Sequence, residues 1–315
     1  MIQVKPNKNV IFFLFLFNIL SNYPRELHPL GKKLLKRFEI KSENFEKLEQ
    51  LYLKKEIPNH PYQFILFAIN SNDDLTPKSQ SPDDGYGPRM HGIYSEKMYS
   101  LVSEIEKELD FFSVFEKEFM LEYESICENI QKYFDGSVEK TLKEVWQLKE
   151  NYNFFLIPNF LLLSEGAGIM RGKDMYSISS PIPTKENTID FYSQHLISNC
   201  IHELSHCILQ RKLIEKNRYK EVFELTEDIE IPERIKMKYG RGGNYVEETF
   251  IRVLTLFSLN HLYKNSMTQK EIDKKTEEKL SKLVDEGFVL SHEFFKNLKK
   301  EKDPFESYFE SLGNL

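Results

Sequence analysis

Cys200-Ile201-His202-Glu203-Leu204-Ser205-His206-Cys207-Ile208-Leu209 decides how the chain is read. Its histidines are four residues apart, with a glutamate directly after the first. On a helix, positions i and i+4 share one face a single turn apart, so two imidazoles at this spacing can hold one metal ion. The glutamate beside the first histidine can then reach a water at that metal. Neither flank carries a charge, and Phe191 to Leu213 reads as one buried helix inside a longer helical stretch that starts near Thr188. Zinc suits such nitrogen donors, at bond lengths of about 2.0–2.1 Å. The competing interpretation is two ordinary histidines on a half-buried helix with Glu203 as a surface charge.

A zinc ion with one open position takes three protein ligands. The metzincin extension of the motif is absent, because Leu209 stands at its glycine and Lys212 at its third histidine. The third ligand is therefore expected in Gly240-Arg241-Gly242-Gly243-Asn244-Tyr245-Val246-Glu247-Glu248-Thr249-Phe250-Ile251-Arg252. The glycines break the chain and a helix begins. Asn244 is a suitable N-cap, and Glu247 three residues later would complete a capping box. Glu248 is free of that task, and Arg252 one turn on could orient its carboxylate. Glu248 is the expected third ligand and Glu247 the alternative. A surface ion pair is the plainer account of Glu248 and Arg252. His195 reads as a packed neighbour, and His91 and His261 as ordinary histidines. Tyr239, Tyr245 and His261 are all candidate donors to a developing oxyanion, with no order among them.

Further out, the chain reads as α+β and predominantly helical. Helical spacing recurs at 9–22, 28–39, 43–54, 95–133 with breaks, 137–149, 219–227, 244–265, 269–285 and 288–300. Short runs bounded by Gly and Pro between Asn153 and Ile182 suggest a small, mainly antiparallel sheet. This divides the chain into a helical region, 1–150, and a core with a helical C-terminal part, 151–315, with one continuous domain as the alternative. Ser71 to Gly92 reads as a long polar loop. The apolar run from Val10 to Leu20 is too short to span a bilayer, so no transmembrane span is expected. It reads as a buried helix beginning near Lys8, which favours a cytoplasmic protein; residues 1–22 acting as a signal peptide would make it secreted. Cys200 and Cys207 would lie roughly 10 Å apart on one helix, too far for a disulfide. Against 43 Lys and Arg stand 49 Asp and Glu, a net charge of −6 that argues against nucleic-acid binding.

The motif and the later helical glutamate resemble the gluzincin branch of zinc metallopeptidases. More narrowly, the chain is similar to a sparsely characterised bacterial group of HExxH proteins, a domain of unknown function. That resemblance rests on Pro6-Asn7 opening an apolar helix that runs to Tyr23-Pro24, on Ile157-Pro158-Asn159 leading to Glu165-Gly166-Ala167-Gly168, and on Glu248 with Arg252. It would cover most of residues 3–265. It implies a zincin-like fold with the small sheet packed on the HExxH helix, Zn2+ held by His202, His206 and Glu248, and Glu203 as the catalytic base of a peptidase. Substrate, a peptide or protein, would lie along an edge strand between Phe160 and Ile182. The gluzincin glutamate is often preceded by Asn, whereas Glu247 precedes Glu248 here, which keeps the third ligand open. A zincin scaffold that binds a peptide or protein partner without cleaving it is the alternative.

Overall fold

The computed structural model describes residues 1–22, 26–57, 59–78, 94–183, 188–240, 242–301 and 303–313. The protein is α+β, mostly helical with a small mixed sheet. Residues 79–93 of the expected Ser71–Gly92 loop, with His91, lie outside the described residues, as do Pro24 and Arg241. The chain forms two compact units: Gln3–Tyr133 with Phe154–Leu196, and Met1–Ile2 with Phe134–Asn153 and Ile197–Leu315.

In the first of these units, β1 (Gln3–Val4) leads to α1 (Lys8–Ser21), α2 (Pro29–Arg37), α3 (Glu43–Leu53), α4 (Pro61–Ile69), α5 (Tyr94–Leu109), α6 (Phe111–Glu118) and α7 (Met120–Gln131). The Asn7 side chain accepts from the Val10 amide at 2.9 Å and starts α1. This helix is apolar on every side, and it is buried from Asn9 through Asn18 and again at Leu20. A helix of that kind belongs in a core. No helix among the described residues is long and apolar enough to cross a membrane. Helix α4 has no counterpart in the sequence expectations. Its nine residues are almost all apolar, so no helical period stands out; His60 caps it and Pro61 starts it.

Phe111 is the centre of this core. Its ring lies 4.6, 5.1, 5.0 and 5.8 Å from those of Phe12, Phe15, Phe38 and Phe115. Phe111→Ala is expected to lower unfolding free energy by about 3–5 kcal/mol, because a rigid aromatic cluster closes only partly over the cavity. Denaturant titration followed by circular dichroism checks this.

The strands are β2 (Asn153–Pro158), β3 (Gly166–Arg171), β4 (Asp174–Ser179), β5 (Ile182–Pro183) and β6 (Ile189–Asp190). The larger sheet has the order β1-β2-β4-β3, with β1 and β2 parallel and β3 and β4 antiparallel. Sequence pattern missed β1, because two residues show no alternation. Phe160 to Leu163 is a buried turn rather than a strand. The Asn159 side-chain oxygen accepts from the amides of Leu161 and Leu162 at 3.0 and 2.9 Å and bends the chain there.

The second unit holds α8 (Ser137–Val145), most of α9 (Ser193–Glu215), α10 (Tyr219–Thr226), α11 (Glu233–Tyr239), α12 (Gly242–Tyr263), α13 (Gln269–Glu286), α14 (Ser291–Lys300) and α15 (Pro304–Gly313). Helix α9 starts at Ser193 rather than near Thr188, because Ile189–Asp190 pairs with β5. The short helices α11 and α15 were not expected. Helix α12 packs against α8, α10, α11, α13 and α14. Trp146 and Ser205 are fully buried, and the indole N–H donates to the Ser205 hydroxyl at 3.2 Å. That bond pins α9 between its two motif histidines, one residue before His206.

Candidate metal centre

Helices α9 and α12 bring His202, His206 and Glu248 together. The two imidazole Nε2 atoms are 3.3 Å apart. Glu248 Oε2 lies 3.3 Å from His206 Nε2, and Glu248 Oε1 lies 3.7 Å from His202 Nε2. Tetrahedral bonds of about 2.0–2.1 Å place neighbouring ligand atoms about 3.3 Å apart. The separation of the two Nε2 atoms matches that spacing, the carboxylate turns one oxygen towards each ring, and the group could hold a metal ion.

The other imidazole nitrogens decide whether those Nε2 lone pairs are available. His206 Nδ1 is 2.8 Å from Glu247 Oε1. A carboxylate there accepts the Nδ1 proton and leaves Nε2 as the donor atom for a cation. His202 Nδ1 is 3.5 Å from the Thr255 hydroxyl, which itself donates to the Ile251 carbonyl at 2.7 Å. Thr255 can therefore accept from His202 in the same sense, more weakly. Both rings turn one nitrogen to α12 and the other to the common centre.

Charge supports the same arrangement. Burial favours neutral His206, but Glu247 and Glu248 outweigh it and hold its pKa well above the ordinary histidine value. Burial favours the acid form of Glu248, but His202 and His206 outweigh that and hold it well below the usual carboxylate range. The cluster thus attracts positive charge into a largely buried space.

Arg252 Nε donates to Glu248 Oε1 at 2.7 Å, so the expected i+4 pair forms with both side chains largely buried. Its guanidinium sits 4.5 Å from the Phe288 ring centroid. Phe288 in turn meets the Tyr239 ring edge-on at 5.7 Å. Burial first and the Glu248 charge second, opposed by Arg252, hold the Tyr239 phenol up at about 12. The phenol accordingly keeps its proton at neutral pH.

The other oxyanion candidates are committed elsewhere. Tyr245 donates to the Gly287 carbonyl and accepts from the Val289 amide, both at 3.2 Å. His261 pairs with Glu144 at 2.8 Å on an exposed surface. It lies thirteen residues beyond Glu248, roughly 20 Å along the helix. His195 is absent from the ligand group. Glu203 is buried on α9, 8% exposed, directly after His202. All three cysteines are buried, and none of them is in a disulfide among the described residues.

Asn244 does not cap α12, which begins two residues earlier at Gly242. The reason is steric. A Cβ on Gly242 would fall 2.0 Å from the Thr226 carbonyl oxygen, so only glycine lets this turn approach the end of α10. Glu247 is thereby released from the capping box and becomes the partner of His206. Gly242→Ala is expected to lower stability by about 1–3 kcal/mol through this backbone clash. A thermal melt measures it, and an unchanged midpoint would show that the turn relaxes freely.

Sequence reasoning missed the support given by Glu247 and Thr255. Thr255 is seven residues after Glu248 and Arg252 is four, one helical face that the spacing could have revealed. No protein-family model matches the chain, nor does any curated protein or solved structure.

Proposed function

We propose that the protein is a zinc-dependent peptidase of gluzincin type, with the zincin-like arrangement that such a reading implies. The convergence of His202 Nε2, His206 Nε2 and the Glu248 carboxylate within 4.8 Å carries it. The donor set of two imidazoles and one carboxylate suits zinc and leaves room for a fourth position. Zinc bound there supplies Lewis acidity for a peptide carbonyl and makes a nearby water more acidic.

The remaining chemistry belongs to side chains. Glu203, beside the first ligand, takes a proton from the attacking water and returns it to the leaving amide nitrogen. Water adds to the carbonyl carbon, the C–N bond breaks, and the products are an acid and an amine. Arg252 holds the Glu248 carboxylate in place at 2.7 Å. Tyr239, protonated at neutral pH and beside Glu248 and Arg252, is the best placed of the three hydroxyl or imidazole candidates to donate to the developing oxyanion.

Elemental analysis of purified protein supplied with zinc at neutral pH tests the metal. Digestion of a broad peptide library, with and without a chelator, tests the reaction. Stoichiometric zinc with chelator-sensitive cleavage supports the proposal. Stoichiometric zinc without cleavage moves it to a metal-holding scaffold that binds a peptide or partner, and absence of zinc removes it.

A further inference from the structure

Tyr308 on α15 is fully buried, and its hydroxyl has no hydrogen-bond partner among the described residues. An unsatisfied buried hydroxyl is destabilising, and phenylalanine would avoid the penalty. The surroundings make that alternative concrete. The Tyr308 ring packs on Phe250 at 4.9 Å and on Phe309 at 5.4 Å. Phe305, Phe294 and Phe250 fill neighbouring positions of the same unit without a polar atom. A tyrosine retained in such a setting points to a use for its oxygen.

Phe250 is three residues after Glu247 on α12, so the same helix that seats the Tyr308 ring carries this carboxylate nearby. Glu247 is the first charge that acts on the Tyr308 phenol after burial itself. It plays the same part for Tyr219 on the adjoining helix α10. Glu247 commits one oxygen to His206 Nδ1 at 2.8 Å. Tyr308 and Tyr219 are thus both near enough to Glu247 to feel its charge, with no direct hydrogen bond from either phenol to it, and two phenols and a carboxylate so placed are the partners a bridging water needs.

We infer that Tyr308, with Tyr219, is a positioning residue for the metal centre: the two hydroxyls hold a water against Glu247 and so fix the carboxylate that orients His206. The chain of contacts then runs from the buried face of α15 to a residue of the proposed metal site without touching the metal or substrate. For its effect on zinc the inference rests on the proposed metal site; the contact with Glu247 and His206 does not.

Tyr308→Phe deletes the single oxygen and keeps the ring. The first readout is the His206 Nδ1 proton in the metal-free protein, observed by nuclear magnetic resonance. It is expected downfield in the wild type and faster to exchange with water in Tyr308→Phe. The second is zinc affinity by competition with a chromophoric chelator. Glu247→Gln is expected to weaken zinc about 10–100-fold, and Tyr308→Phe roughly 3–10-fold. The double variant is expected to bind no more weakly than Glu247→Gln alone. An unchanged Nδ1 signal together with wild-type affinity overturns the inference, and so does an equal loss in both backgrounds, which would mark a packing effect. Should Tyr308→Phe fail to fold, Tyr219→Phe is read by the same criteria. A wild type that binds no zinc refutes the metal reading, and the Nδ1 proton then decides the tyrosine contact by itself.

Discussion

Glu203→Gln is expected to lower kcat for peptide hydrolysis by about 10²–10⁴-fold, the usual contribution of a positioned general base. Zinc content should stay at the wild-type level. The two effects separate because Glu203 lies outside the ligand group of His202, His206 and Glu248. Glutamine has nearly the same shape as glutamate, so the buried position on α9 is not emptied by the change. What the amide lacks is the ability to accept a proton from water and return it to the leaving nitrogen. Peptide cleavage assayed with the zinc content of the same sample gives the answer. A fully active, fully loaded Glu203→Gln enzyme would sink the mechanism, whatever the metal does.

The shared face of His202 and His206 was legible in the sequence because helical spacing is rigid. Once His202 and His206 are set four residues apart, their shared face follows from the pitch of α9 alone. Glu248 and Arg252 obey the same rule on α12, and their 2.7 Å contact is the one expected from i and i+4. Legibility ended where tertiary contact replaced local pattern. The reading of Asn244 as an N-cap used local preference, but the approach of Gly242 to the Thr226 carbonyl moved the start of the helix. That shift changed the task of Glu247 from a cap to a histidine partner. The capping box that does form, Thr268 with Glu271, opens α13 and has no bearing on the site. Strand β1 depends on pairing with β2 about 150 residues away in the chain, which no local period reports. Tyr308 is the limiting case: its sequence context is an aromatic stretch with Phe305 and Phe309, and only burial without a partner makes its oxygen conspicuous.

Removing His206 should have the largest effect on the metal. His206→Ala deletes a donor 3.3 Å from both His202 Nε2 and Glu248 Oε2, and it leaves Glu247 without its 2.8 Å partner. Zinc affinity is expected to fall more than roughly a hundredfold, beyond what the loss of an outer partner causes. The consequence for stability follows by linkage. At free zinc a hundred times its dissociation constant, the wild-type fold gains about 2.7 kcal/mol, and the variant gains less than about 0.4 kcal/mol at that concentration. Because His206→Ala also leaves two partly buried carboxylates short of a partner, Glu248→Gln serves as a second test. The amide oxygen can still accept from Arg252 but is a poor ligand for a divalent ion. His261→Ala is the control, since His261 pairs with Glu144 outside the ligand group. Uptake must also expel the proton that Glu247 and Glu248 hold on His206, so zinc affinity is expected to fall as pH is lowered through that raised pKa. A zinc-dependent rise in melting temperature equal in His206→Ala, Glu248→Gln and wild type would place the ion elsewhere. The two imidazoles and the glutamate would then be a hydrogen-bonded cluster with no metal to hold.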